Sequence, residues 1–137
     1  MTYKKILVSI EHLTNDGTVL KAALDIANLF KAKVTVLHVN SPMAGVPSRV
    51  MREMEHKVTP EELDDYVDKN NLKHLDVTLE VLKSKNMSNT ILEKSIEYDL
   101  IVLGHRHLNF FEELLGDSLD EQIINDLQCH CLVVPKS

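Results

Sequence analysis

Short apolar runs alternate with amphipathic stretches along this chain, and their lengths and periods sort them into strands and helices. Residues 4–10, KKILVSI, are too few for a helix and lack alternation, which predicts a strand buried on both faces. From residue 15 to 30 the apolar Val19, Leu20, Ala23, Leu24, Ile26, Ala27 and Phe30 recur at three- and four-residue spacings. That is the stripe of an amphipathic helix, with Thr14 or Asn15 as its N-cap. Residues 33–39 follow as a β-branched strand, completing a strand–helix–strand unit with a right-handed crossover. Residues 41–58 are irregular: Pro42, Gly45 and Pro47 break them, and Met43, Met51 and Met54 read as gap fillers. The run Thr59-Pro60-Glu61-Glu62 predicts a capped helix from 60 to about 70, because Thr59 can accept from the N3 amide and Glu62 can reach back. Leu75, Val77, Leu79 and Val81 alternate with polar residues, the pattern of a half-exposed edge strand. Asn86 or Ser88 caps the next helix, whose inward set is Ile91, Leu92, Ser95 and Ile96. The wholly apolar Leu100, Ile101, Val102 and Leu103 then form a central strand ending at Gly104. A last helix over 117–127 leads to the strand Cys131-Leu132-Val133-Val134, closed by Pro135.

Strands and helices in strict alternation predict an α/β fold, a single doubly wound domain over residues 1–137. Its five-stranded parallel sheet carries helices on both faces. With the half-exposed third strand at one edge, the strand order is 3-2-1-4-5 and the winding reverses between the first and fourth strands. Ligands in such sheets bind at that reversal, beyond the carboxyl ends of the strands. The rule selects Ile10, Glu11 and His12, then Val39 and Asn40, then Gly104-His105-Arg106-His107. Gly116-Asp117-Ser118 opens the last helix, where free amides favour an anion, and Arg106 and Ser118 could extend such a cradle. The same residues read equally well as a turn and its cap. The order also leaves the last strand at an open edge, and pairing Leu132, Val133 and Val134 with a second copy about a two-fold axis satisfies both chains.

Composition narrows the chemistry. The 137 residues, 44% of them hydrophobic, suffice for one core without a disulfide or metal. Against 15 basic residues stand 21 acidic ones, a net charge of -6 that argues against nucleic acid. No run reaches membrane-spanning length and no leader precedes the first strand, so the reading is a soluble cytoplasmic protein with no membrane partner. Cys129 and Cys131 are too close for an ordinary mutual disulfide, and Cys131 is expected to point into the core. Zinc shared between these thiols and His105 and His107 is disfavoured, because parallel strands put the two pairs at opposite ends of the sheet, roughly 15 Å apart. The carboxylate pairs Glu61-Glu62, Asp64-Asp65 and Glu112-Glu113 read as solvated helix faces. No residue is placed as a catalytic base.

Four blocks taken in order carry a family likeness: residues 3–11, YKKILVSIE; residues 32–39, AKVTVLHV; residues 98–105, YDLIVLGH; and residues 131–135, CLVVP. Together they resemble the universal stress protein family over essentially the whole chain. The resemblance implies a stress-response protein that forms a homodimer by antiparallel pairing of the last strand and acts on protein partners the sequence does not name. Members of this family that bind ATP carry Gly-x-x-Gly, nine residues, then Gly-Ser or Gly-Thr after the fourth strand. Here Gly104 matches the first glycine, but His107 replaces the second, eight residues precede Gly116, and Asp117 separates it from Ser118. His107 adds a side chain where the backbone approaches phosphate, and Asp117 sets a carboxylate where a triphosphate would lie. The pattern is similar to that of the non-binding subgroup, which implies no cofactor and no enzymatic activity. The alternative is an adenine-nucleotide-binding switch, with ATP on Glu11, Val39, Gly104, Arg106, Gly116 and Ser118 and at most slow hydrolysis.

Overall fold

A computed structural model describes residues 2–11, 13, 17–46, 56–70, 76–104 and 127–135. Five strands form one parallel sheet: β1 (Lys5–Ser9), β2 (Lys33–Asn40), β3 (Val77–Lys83), β4 (Leu100–Gly104) and β5 (His130–Val134). Their order is β3-β2-β1-β4-β5, as the burial patterns of the sequence predict. Three helices are described, α1 (Gly17–Phe30), α2 (Pro60–Lys69) and α3 (Met87–Ser95). All of the helix expected over 117–127 except its last residue, together with Glu112-Glu113, the caps Thr14 and Asn15, and Leu75, Met51 and Met54, lies outside the described residues.

Two apolar layers sandwich the sheet. On one face Val19, Leu20, Ala23, Leu24 and Ala27 of α1 and Leu63 and Val67 of α2 pack on Ile6, Val8, Val34, Val36, Leu100 and Val102. On the other, Ile91 of α3 meets Leu7, Leu37, Val39, Ile101 and Leu103. Consecutive residues of β1, β2 and β4 thus serve opposite layers, as the period of two requires. β2 is as buried as the two strands that read as central, although Thr35, His38 and Asn40 interrupt its apolar pattern. Each has a partner across the fold; Tyr98, for example, donates its hydroxyl hydrogen to Thr35 Oγ1 at 2.9 Å.

Local chemistry explains the boundaries. Thr59 caps α2 by accepting from the Glu62 amide at 3.2 Å, and Asn86 rather than Ser88 caps α3, accepting from the Asn89 amide at 3.1 Å. Helix α1 ends without a glycine. Lys31 takes the left-handed conformation, φ 54°, while the Ala32 and Lys31 amides donate to the Ala27 and Asn28 carbonyls at 2.8 and 3.4 Å. That is a Schellman closure with lysine at the position glycine usually fills.

Two inward assignments need correction. Ile96 is 74% exposed, because α3 ends at Ser95 and the chain turns away before Ile96 reaches the sheet. Cys131 is exposed rather than in the core. β5 is an edge strand whose Leu132 and Val134 point to the α1 layer, which turns Cys131 to the other face.

At the amino ends of the strands, the Asp99 carboxylate accepts from the Lys4 and Lys5 amides at 2.8 and 3.0 Å. These two bonds, helped by the lysine charges, hold its carboxyl below the ordinary carboxylate range. A lowered folded-state pKa means that the stabilisation is complete above the unfolded value, about 4, and is lost as pH falls through the folded one. Since Asp99 is exposed, Asp99→Asn is expected to cost about 1 kcal/mol at pH 7. In urea titrations that gap from the parent should be constant well above about pH 4 and narrow as pH falls below it; a gap that widens in acid would contradict the charge-assisted role.

Candidate functional site

The crevice is built by strands that part. Pairing between β1 and β4 ends at Val8 and Val102, whereas β2 and β3 stay paired to Asn40 and Lys83, and β4 and β5 to Gly104 and Val134. Extending the β1–β4 register by two residues sets Ile10 level with Gly104. Both are buried, and they flank the opening where the winding reverses. Glu11 follows Ile10 in a bend and is half-buried at this mouth.

The other selected residues divide by what their side chains already do. Val39 is only 6% exposed and packs into the layer with Leu7, Ile91 and Leu103, so what it offers a ligand is backbone. Asn40 is 5% exposed and its amide is engaged with Val58: Oδ1 accepts from the Val58 amide at 3.1 Å and Nδ2 donates to the Val58 carbonyl at 2.8 Å. The Asn40 carbonyl accepts from the Ser84 amide at 3.0 Å. Asn40 therefore ties β2 to the segment before α2 and to the end of β3. His12, His105, Arg106, His107, Gly116, Asp117 and Ser118 lie outside the described residues, so the structure brings together only Glu11, Gly104 and the backbone near Val39.

One buried residue at this end was not singled out by the sequence rule. His38, on β2, sets Nδ1 2.8 Å from the Ile10 carbonyl oxygen and Nε2 3.0 Å from Asn40 Oδ1. The signal was a polar residue within an otherwise apolar strand, since a ring buried there must find partners.

Beside the crevice entrance to α2, Glu62 departs from the solvated-face reading of the carboxylate pairs. It lies 2.6 Å from His56 Nε2, and this contact, with further hydrogen bonds from Thr59, outweighs desolvation and lowers its carboxyl pKa. Glu61, Asp64 and Asp65 are exposed as expected. At the opposite end of the sheet, burial and the charge of Asp99 push the Cys129 thiol up, away from the thiolate a metal or a nucleophile requires. Among the described residues no three His, Cys, Asp or Glu side chains are grouped to hold a metal ion. No helix among them is long and apolar enough to cross a membrane.

Comparisons with known proteins agree with this architecture. Universal stress protein A of Escherichia coli (strain K12) is 23% identical over 141 residues, covering 98% of this chain and 96% of that protein. A universal stress protein crystallised in complex with cAMP superposes with a TM-score of 0.68 at 17% identity, covering both chains completely. The universal stress protein from Archaeoglobus fulgidus in complex with dAMP gives a TM-score of 0.55 at 16% identity, covering 97% of this chain and 98% of that one. The model of the universal stress protein family matches residues 2–135, and the chain belongs to that family.

Proposed function

We propose that this chain is a non-enzymatic, cytoplasmic stress-response protein that works as a homodimer joined through β5 and does not hold ATP. The observation that carries the nucleotide half of this reading is the sequence beyond Gly104. His107 stands in the place of a glycine, and Asp117 sets a negative charge at the head of the last expected helix, where a triphosphate would need positive potential. The described part of the crevice supports it, because the Asn40 amide is committed to Val58 and adds no free donor. The dimer half rests on the open side of β5, whose apolar Leu132-Val133-Val134 run needs cover.

A second reading has a specific observation behind it. Structural neighbours that share the fold hold cAMP and dAMP. On that reading an adenine nucleotide enters between β1 and β4, with Glu11 and the Val39 backbone toward the nucleoside and Gly104, Arg106, Gly116 and Ser118 toward phosphate. The chain is then a nucleotide-dependent switch with at most slow hydrolysis.

Freshly purified protein, denatured and analysed by mass spectrometry for released small molecules, separates the two. It is paired with calorimetric titration of cAMP, AMP and ATP into the nucleotide-free chain. The expected result is no released nucleotide and no saturable heat at millimolar ligand. Co-purified adenine nucleotide, or saturable binding of any of the three, overturns the first reading in favour of the second.

A further inference from the structure

The sheet has a second open edge, at β3, on the side away from β5. The Val34 amide donates to the Asp76 carbonyl and the Asn40 carbonyl accepts from the Ser84 amide, so Thr78, Glu80 and Leu82 turn their backbone groups toward β2. Val77, Leu79, Val81 and Lys83 therefore turn theirs outward, and among the described residues no backbone group meets them there. The edge runs seven residues in unbroken register with β2 and contains neither a proline nor a bulge, two devices that stop another strand from adding. Its surroundings are polarised. α2 lies over this strand, with Leu63 and Val67 in one layer with Val77, Leu79 and Val81, and it exposes Glu61, Asp64, Asp65 and Asp68 against a single lysine, Lys69. On the other face of β3, Glu80 is already paired with Lys94 of α3.

We propose that the open edge of β3 takes up an extended segment of another protein as an added strand, and that this segment carries lysine or arginine at alternate positions. Backbone pairing along the edge supplies the docking, and the side chains choose the partner. Successive side chains of an added strand point to opposite faces of the sheet, so every second one comes up on the side of α2 and its carboxylates. Cations are attracted there and acids repelled. On the α3 side the half-buried Leu82 and the Glu80–Lys94 pair carry no net charge, which suits small apolar side chains at the intervening positions. The same charges disfavour a second copy as the occupant. Two β3 strands paired about a two-fold axis at the strand centre would set Glu80 directly opposite Glu80, and would bring both α2 helices with their carboxylates to one face of the joined sheet. The inference depends neither on what the crevice holds nor on whether β5 joins two copies.

The test titrates the full ¹⁵N-labelled chain with two peptides blocked at both ends, Lys-Val-Lys-Val-Lys-Val-Lys and its counterpart with glutamate for lysine. With the lysine peptide at millimolar concentration, the Val77, Leu79 and Val81 amides should shift saturably and exchange their hydrogens more slowly. Those of Thr78, Glu80 and Leu82, which already serve β2, should change less, and the glutamate peptide should do neither. Asp64→Lys combined with Asp68→Lys changes only exposed side chains and should weaken the lysine peptide roughly tenfold with the fold intact. Val81→Pro removes an outward amide and should abolish uptake; if that variant does not fold, the charge-reversed variant decides. Equal binding of the two peptides overturns the proposal, as do shifts confined to β5 or the crevice, no saturable shift, or unchanged affinity after charge reversal. Exchange of the outward β3 amides that slows with protein concentration in the absence of peptide would also overturn it, by making a second copy the occupant.

Discussion

Val133→Pro is expected to halve the mass of the particle in solution while each chain keeps its fold. The His130 amide donates to the Asp99 carbonyl at 3.3 Å, toward β4. Backbone groups alternate along a strand, so the amides of Leu132 and Val134 also face β4, while those of Cys131 and Val133 face the open edge. Proline at 133 removes an outward donor from each copy and sets a ring where the second strand must approach. Two lost bonds of about 1 to 1.5 kcal/mol each weaken self-association roughly a hundredfold, before the steric effect is counted. Light scattering and sedimentation should show a monomer with unchanged far-ultraviolet circular dichroism. Leu132→Pro is the control: its amide faces β4, so it should lower the melting temperature of the chain itself. A dimer of undiminished affinity in Val133→Pro would remove β5 as the interface.

The largest loss of stability is expected from Asn40→Ala. The substitution strands the Val58 amide, the Val58 carbonyl and His38 Nε2, all in a region closed to water. Buried polar groups left without partners cost about 1 to 3 kcal/mol each, so a total near 3 kcal/mol or more is expected. Against a whole-domain stability of about 5 to 15 kcal/mol that is a large fraction. Asn70 offers a comparison of the same residue type, since its side chain donates to the Tyr66 carbonyl at 2.7 Å but is exposed. Asn70→Ala should cost about 0.5 kcal/mol, because water replaces the lost bond. Equal urea midpoints for the two variants would mean that the Asn40 network does not hold this end of the sheet.

Most of the topology was legible because burial leaves a mark on composition. Apolar runs at residues 6–8 and 100–103 could only be central, and the alternation of Val77, Leu79 and Val81 could only be an edge. What stayed hidden depends on partners remote in sequence. Nothing local in β2 announces that Thr35 meets Tyr98, or that His38 and Asn40 are matched by Ile10 and Val58. The end of α1 at Phe30 was legible from the apolar stripe and the strand that follows, but its closure was not, since a lysine fills the left-handed position where glycine is usual. Of the candidate site, the parting of β1 and β4 followed from strand order alone, but the role of Asn40 did not. A polar side chain at a strand end reads as a free ligand contact until its own hydrogen bonds are traced.

The place of β1 bears on how the chain is made. It precedes every other strand, yet it sits in the middle of the sheet, and the neighbour that covers its second edge, β4, arrives about ninety residues later. At a synthesis rate of roughly 5 to 20 residues per second, β1 waits some five to twenty seconds for that neighbour. Once β2 has followed, and until β4 arrives, Ile6, Leu7 and Val8 have β2 on one side and an open strand edge on the other. A nascent chain of this design is expected to gain from shielding of that edge, and its yield in a cell should respond to translation speed more than that of an all-helical protein of equal length.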